Sequence, residues 1–155
     1  VWDSTRIGSP MPAIPDRFFL LFGVGSNGVE GDSDGDVAVH ALIDALSSAT
    51  GLGDIGTLFG VGADSEGRMR GEAMLRETLR LVHAHGFEPV SMSISIIGNQ
   101  PRSVAAVMRH SNAVTDLRLP GRITATTTDG MGFTGRGEGL AAIASVLVRK
   151  TVASA

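Results

Sequence analysis

The chain has 155 residues, of which 43% are apolar and 19% charged, and it contains no cysteine. That length and balance fit one globular domain over residues 1–155 with a core large enough to need no cross-links, and the missing thiols exclude disulfides, thiolate zinc sites and cysteine nucleophiles. The charge, 13 basic against 16 acidic residues, is −3; with no basic run and 5% aromatics the chain does not read as a nucleic-acid binder.

Glycine is the outlier, with 21 residues, nearly double the ~7% typical of globular chains. Many backbone positions therefore tolerate positive φ or the close approach of a ligand or a second chain. The longest apolar stretch, Phe18-Phe19-Leu20-Leu21-Phe22, is too short to cross a membrane or to serve as a signal segment. A cysteine-free chain fits the reducing cytoplasm. The first residue is Val1 and not Met, as expected of a trimmed chain or of a piece of a longer polypeptide.

In chain order, the proline-rich stretch 9–16 predicts a loop or arm. Phe18 to Val24 predicts a buried strand, ended by Gly25-Ser26-Asn27-Gly28. A helix is expected from Ser33, which forms a capping box with Asp36, to a stop at Gly51. Residues 60–68 predict a loop. Arg70 to His85 has the spacing of an amphipathic helix, with Gly86 as its stop. Val90, Met92, Ile94 and Ile96 alternate with serines and predict a strand. A turn at Gly98-Asn99-Gln100-Pro101 precedes an expected helix over 104–117. Arg122 to Thr128 predicts a strand, and Leu140 to Lys150 a final helix. The order implies an α+β fold with one sheet under a layer of helices.

Three clusters of residues bear on chemistry. Asp36, His40 and Asp44 recur every four residues and share one stripe of a helix that is apolar elsewhere. Such a stripe faces partners, solvent in a cleft or a metal, because unpaired buried polar groups are costly; a solvated face with a hydrogen-bonded histidine satisfies the pattern equally. Asp32-Ser33-Asp34-Gly35-Asp36 imitates a calcium loop, but the required Gly and Glu positions hold Val37 and Ile43, so calcium is rejected. Ala125-Thr126-Thr127-Thr128-Asp129-Gly130 and the glycines that follow offer hydroxyls and amides to phosphate oxygens, with Asp129 available to a divalent cation. A threonine-rich edge strand followed by a glycine turn fits the same composition. His83 and His85 suit the negative end of a helix, His110 lies in a polar patch, and none of the three has metal-ligand spacing.

Taken together, Ser33-Asp34-Gly35-Asp36-Val37 with His40, Gly51-Leu52-Gly53-Asp54-Ile55-Gly56, Ala125 to Asp129 and Gly132 to Gly139 closely resemble the 2-C-methyl-D-erythritol 2,4-cyclodiphosphate synthases of non-mevalonate isoprenoid biosynthesis. The resemblance runs over roughly residues 5–150, in order. It implies a homotrimer with sheets around the three-fold axis and active sites between subunits. The reaction it implies is cyclisation of 4-diphosphocytidyl-2-C-methyl-D-erythritol 2-phosphate with release of CMP.

The resemblance also implies residue roles. Asp32, Ser33, Asp36, Thr127 and Asp129 fall in the catalytic positions. Asp44, Asp54 and Gly56 would contact the methylerythritol and ribose portions; Gly98, Arg102, Ser103, Ala125, Thr126 and Thr127 would form the nucleotide side, binding CMP or CDP. Phe133, Arg136 and Glu138 would line a cavity on the trimer axis. Asp129 would hold magnesium or manganese, and His40 zinc. Four departures accompany it. Pro12 and Ile14 stand where the family's other two zinc ligands are expected, so zinc is expected to be absent or weakly held. Asp32 replaces a phosphate-binding histidine, residues 60–65 replace an acidic loop, and Arg102 replaces a lysine. They also raise an alternative, a paralogue of little or no activity that keeps the trimer and binds a nucleotide or phosphate ligand.

Overall fold

The structure, a computed structural model, describes residues 16–26, 37–60, 71–99 and 119–151; of residues 16–26 the backbone alone is described. Its elements in chain order are β1 (Asp16–Ser26), α1 (Val37–Thr50), α2 (Ile55–Phe59), α3 (Gly71–Ala84), β2 (Phe87–Ile97), β3 (Gly121–Thr126), α4 (Gly132–Gly135) and β4 (Gly139–Lys150). The sheet runs β1-β4-β2-β3. β4 is antiparallel to both β1 and β2, and β3 is parallel to β2. The fold is α+β with one sheet under helices, as the element order implies.

α1 forms because apolar residues and alanines occupy nine of its 14 positions, and Leu42, Ile43 and Leu46 are fully buried. Its end is a Schellman turn. Gly51 takes φ of 78°, Leu52 N–H donates to Ser47 O at 2.8 Å, and Gly51 N–H donates to Ser48 O at 3.4 Å. α3 is amphipathic: Met74, Leu75, Leu79 and Val82 are buried, while Glu72–Arg76 and Glu77–Arg80 pair on the outer face. Gly86, with φ of 75°, stops it as the sequence predicts.

β2 alternates as expected. Met92, Ile94 and Ile96 are buried beneath the helices, and Ser91 and Ser93 are exposed on the other face. Register places Ile94 opposite Ala144 and Ile96 opposite Ala142 of β4, whose buried row continues through Val146 and Val148. On the face turned away from the described helices, Ser93 stands opposite Ser145, Ser91 opposite Leu147 and Ser95 opposite Ile143. β3 adds Thr124 there, whose hydroxyl is 3.1 Å from that of Ser95.

One expectation is overturned. Residues 140–150 are not a helix but β4, the strand between β1 and β2. Alanines at 141, 142 and 144 raise helix propensity, yet the burial of 142, 144, 146 and 148 has a period of two. The small side chains let α1 lie close on the strand. The preceding helix is instead the single turn α4, and strand β3 ends at Thr126, not Thr128. The expected arm at 9–16 lies outside the described residues except for Asp16, which opens β1, and so do the capping box at Ser33 and Asp36, most of the loop at 60–68 and the helix over 104–117.

Candidate active site

Two clusters of the expected site residues are described, and a long-range hydrogen bond builds each. The first lies at the end of α1. Asp44, one helical turn beyond half-buried His40, accepts the Ile55 N–H on its Oδ1 at 2.8 Å. Asp54 is the N-cap of α2: its Oδ1 accepts the Thr57 N–H at 2.7 Å and the Thr57 hydroxyl at 2.8 Å. These two bonds from Thr57 hold the Asp54 carboxyl below its ordinary range, so it is ionised at neutral pH and faces solvent. Gly53 precedes it with φ of 95°, a conformation that side chains other than glycine disfavour. Gly56 lies in the first turn of α2, and its carbonyl accepts the Gly60 N–H at 2.9 Å.

The second cluster lies where the parallel strands β2 and β3 end. Gly98 N–H donates to Thr126 O at 3.1 Å and extends the pairing by one bond. The Asn99 side-chain amide donates to Gly135 O at 2.8 Å, which ties the end of β2 to α4. Ala125 and Thr126 close β3, and Thr127 and Asp129 stand in the turn that follows. Thr127 donates its hydroxyl to Asp129 Oδ1 at 3.1 Å. Asp129 has φ of 52°, the left-handed region that aspartate tolerates better than most residues. Thr128 braces the turn, donating to Met131 O at 2.5 Å and lying 3.1 Å from the Thr134 hydroxyl. A Cβ on Gly135 would collide with the Gly130 backbone, so the fold needs glycine there.

α4 ends in a second Schellman turn, with Glu138 N–H donating to Phe133 O at 2.9 Å and Gly137 at φ of 74°. That geometry sets Arg136 and Glu138 side by side. Arg136 donates Nε to Oε1 at 2.6 Å and Nη2 to Oε2 at 2.9 Å. The bidentate pair lowers the Glu138 pKa and raises that of Arg136. Among the described residues, Met131 and Phe133, from the same segment, are exposed large apolar side chains. β1 terminates at this same end of the sheet, since Ser26 pairs with Gly139. Asp32, Ser33, Asp36, Arg102 and Ser103 lie outside the described residues.

Among the described residues no three His, Asp or Glu side chains gather closely enough to hold a metal ion. The donor at Asp129 nevertheless suits magnesium or manganese, which proteins hold through one or two carboxylates with substrate phosphates and water completing the shell. Zinc in a catalytic site takes three protein ligands, and His40 is the one expected zinc ligand described. Sequence reasoning missed the tethers of Asp44 to Ile55 and Asn99 to Gly135. Periodicity reports neighbours on one element, and both bonds join separate elements.

The sequence profile described as the YgbB family matches residues 11–149. A 2-C-methyl-D-erythritol 2,4-cyclodiphosphate synthase from Bifidobacterium longum subsp. infantis is 55% identical over 142 residues, covering 88% of this chain and 80% of the relative. The chain belongs to this family. A solved 2C-methyl-D-erythritol-2,4-cyclodiphosphate synthase superposes with a TM-score of 0.70 at 30% identity, over 86% of this chain and 99% of the other. A CDP-bound form superposes with a TM-score of 0.69 at the same identity and coverage. No helix among the described residues is long and apolar enough to cross a membrane.

Proposed function

We propose that this chain is a cytoplasmic 2-C-methyl-D-erythritol 2,4-cyclodiphosphate synthase acting in isoprenoid precursor biosynthesis. The 55% identity to the Bifidobacterium synthase carries the reading, and the Thr127–Asp129 turn beside the end of β2 supports it. In the reaction, an oxygen of the 2-phosphate attacks the β-phosphorus. The bond from that phosphorus to the bridging oxygen breaks, and CMP leaves with the bridging oxygen.

The chain's own residues do the positioning. Gly98, Ala125 and Thr126 offer backbone groups at the sheet edge to the nucleotide. Thr127 offers a hydroxyl to a phosphate oxygen, and Asp54 offers an ionised carboxylate to ligand hydroxyls. Arg102, Ser103, Asp32, Ser33 and Asp36 complete the site by sequence position. Asp129 would hold a magnesium or manganese ion, which supplies charge neutralisation at the phosphates when bound. Zinc at His40 is expected to be weakly held, and no step is assigned to it.

The sheet face turned away from the described helices supports a homotrimer. Ile143 and Leu147 are half-buried there, serine and threonine hydroxyls fill much of the rest, and close approach by a second chain needs such small side chains. Purified protein supplied with magnesium or manganese should release CMP from the cytidine-linked substrate and lose that activity in EDTA. CDP binding without CMP release under any of these metals would favour the inactive-paralogue reading instead.

A further inference from the structure

We infer that Asp44 is a positioning residue whose carboxylate fastens the first turn of α2 to α1 and so fixes Asp54, Ile55 and Gly56 relative to His40. The inference rests on the reading of residues 54–56 as part of the substrate site. The sequence expectation gives Asp44 a direct contact with substrate; the geometry directs its Oδ1 at a backbone amide instead, 2.8 Å from Ile55 N.

α2 has five residues, far fewer than the dozen or so an isolated helix needs to persist in water. Its opening N–H groups have no partners inside the helix and require caps. Asp54 caps the Thr57 amide, and Asp44, reaching across eleven positions of sequence, caps that of Ile55. The intervening segment contains Gly51 and Gly53, both at positive φ, so its backbone alone does not hold α2 in place. The Ile55 side chain packs partly buried against the core cluster. The segment is therefore pinned on one side by apolar contact and on the other by a charge-assisted hydrogen bond. Asp44 projects from the same helix as His40, four residues on, so the bond transmits the position of α1 to the Asp54 carboxylate.

The test uses the full chain. Asp44→Ala removes the acceptor, Asp44→Asn keeps an oxygen at the same place, and Ile55→Pro removes the donor at a helix position that accepts proline, with Ile55→Ala as the control for lost packing. Asp44→Ala should speed exchange of the Ile55 amide hydrogen and raise KM for the cytidine-linked substrate about tenfold, the scale of one lost charge-assisted bond. In the same variant kcat should change less than about threefold. Asp44→Asn should restore both readouts. Combining Asp44→Ala with Ile55→Pro should raise KM no further than either alone, because both cut one bond.

Wild-type exchange at Ile55 in Asp44→Ala, or a raised KM with that exchange unchanged, overturns the inference, the second pointing to direct substrate contact. Asp44→Asn as impaired as Asp44→Ala also overturns it. If Asp44→Ala does not fold, Ile55→Pro against Ile55→Ala reads the same bond from its other end. A wild-type protein that neither releases CMP nor binds CDP overturns the proposed function, and the exchange measurement still decides the tether.

Discussion

The two faces of the sheet differ in what covers them. Under the helices, Ile94, Ala142, Ala144, Val146 and Val148 are at most 1% exposed. On the opposite face β2, β3 and β4 present Ser91, Ser93, Ser95, Thr124 and Ser145, with Ile143 and Leu147 half-buried among them. The first face is an interior whose shape α1 completes. The second is a surface of small hydroxyls and a few apolar residues, with the charged Arg122 of β3 beside Ser93, too apolar to be a typical solvent face and too polar to be a core. The difference teaches that burial beneath the described helices accounts for one face of this sheet alone, and that the proposed trimer is a cover to be tested for the other.

The largest expected effect separates the faces directly. Ile94→Ala should cost about 2–5 kcal/mol of folding stability, the range for a truncated core aliphatic, whereas Ser93→Ala beside it should change stability by less than about 0.5 kcal/mol in the isolated subunit. Urea unfolding of both variants measures this, and equal losses would break the contrast. Next, Ser145→Lys should leave the fold intact but convert a trimeric mass to a monomeric one by light scattering, because three added charges would meet on one buried face. A monomeric mass for the unaltered protein at micromolar concentration would remove the proposed cover altogether.

A smaller effect is expected at the edge of the open face. If Arg136 stands near a three-fold axis, its three copies repel unless Glu138 neutralises them, so Glu138→Ala should weaken the trimer more than Glu77→Ala on α3. Glu77 also pairs with an arginine, Arg80, at 2.7 Å. The comparison therefore holds the loss of one ion pair constant and varies only its place. Equal dissociation constants would count against an axial position.

The smallest effect is in pH. Hydrogen bonds from Thr57 to Asp54 and from Arg136 to Glu138 lower both carboxyl pKa values in the folded state. Between the folded and unfolded pKa values the unfolded chain binds more protons, so stability rises with pH through that window. The contribution is complete above the ordinary carboxylate pKa of about 4 and is lost as pH falls through the lowered values. Asp54→Asn should flatten the acid limb of a plot of urea midpoint against pH. An unchanged limb would show that the cap contributes nothing to stability.

Much of this was legible in the sequence, and the unread parts share a cause. The serine alternation of β2 reports a half-buried strand because its period matches the pleat. The glycines at 51 and 86 mark helix ends because their left-handed conformations are cheap for glycine alone. β4 was misread because its alanines serve close packing against α1 and look like helix propensity when read locally. In the candidate site, the motif residues stand out as strings. Asp44 to Ile55 and Asn99 to Gly135 do not, since each bond exists only once separate elements have met. Asp129 stands out by composition, and its left-handed φ does not.

The strand order carries a consequence for synthesis. β4 lies between β1 and β2 and pairs with both, yet of the four described strands it is the last to leave the ribosome. Until it emerges, β1 lacks its partner among the described strands, and β2 keeps an open edge that invites association with other nascent chains. The helices can form early, but the core beneath them closes only when Ala142, Ala144, Val146 and Val148 arrive. A stalled or prematurely ended chain that stops short of β4 should therefore yield no partly folded domain, only a substrate for chaperones and proteases.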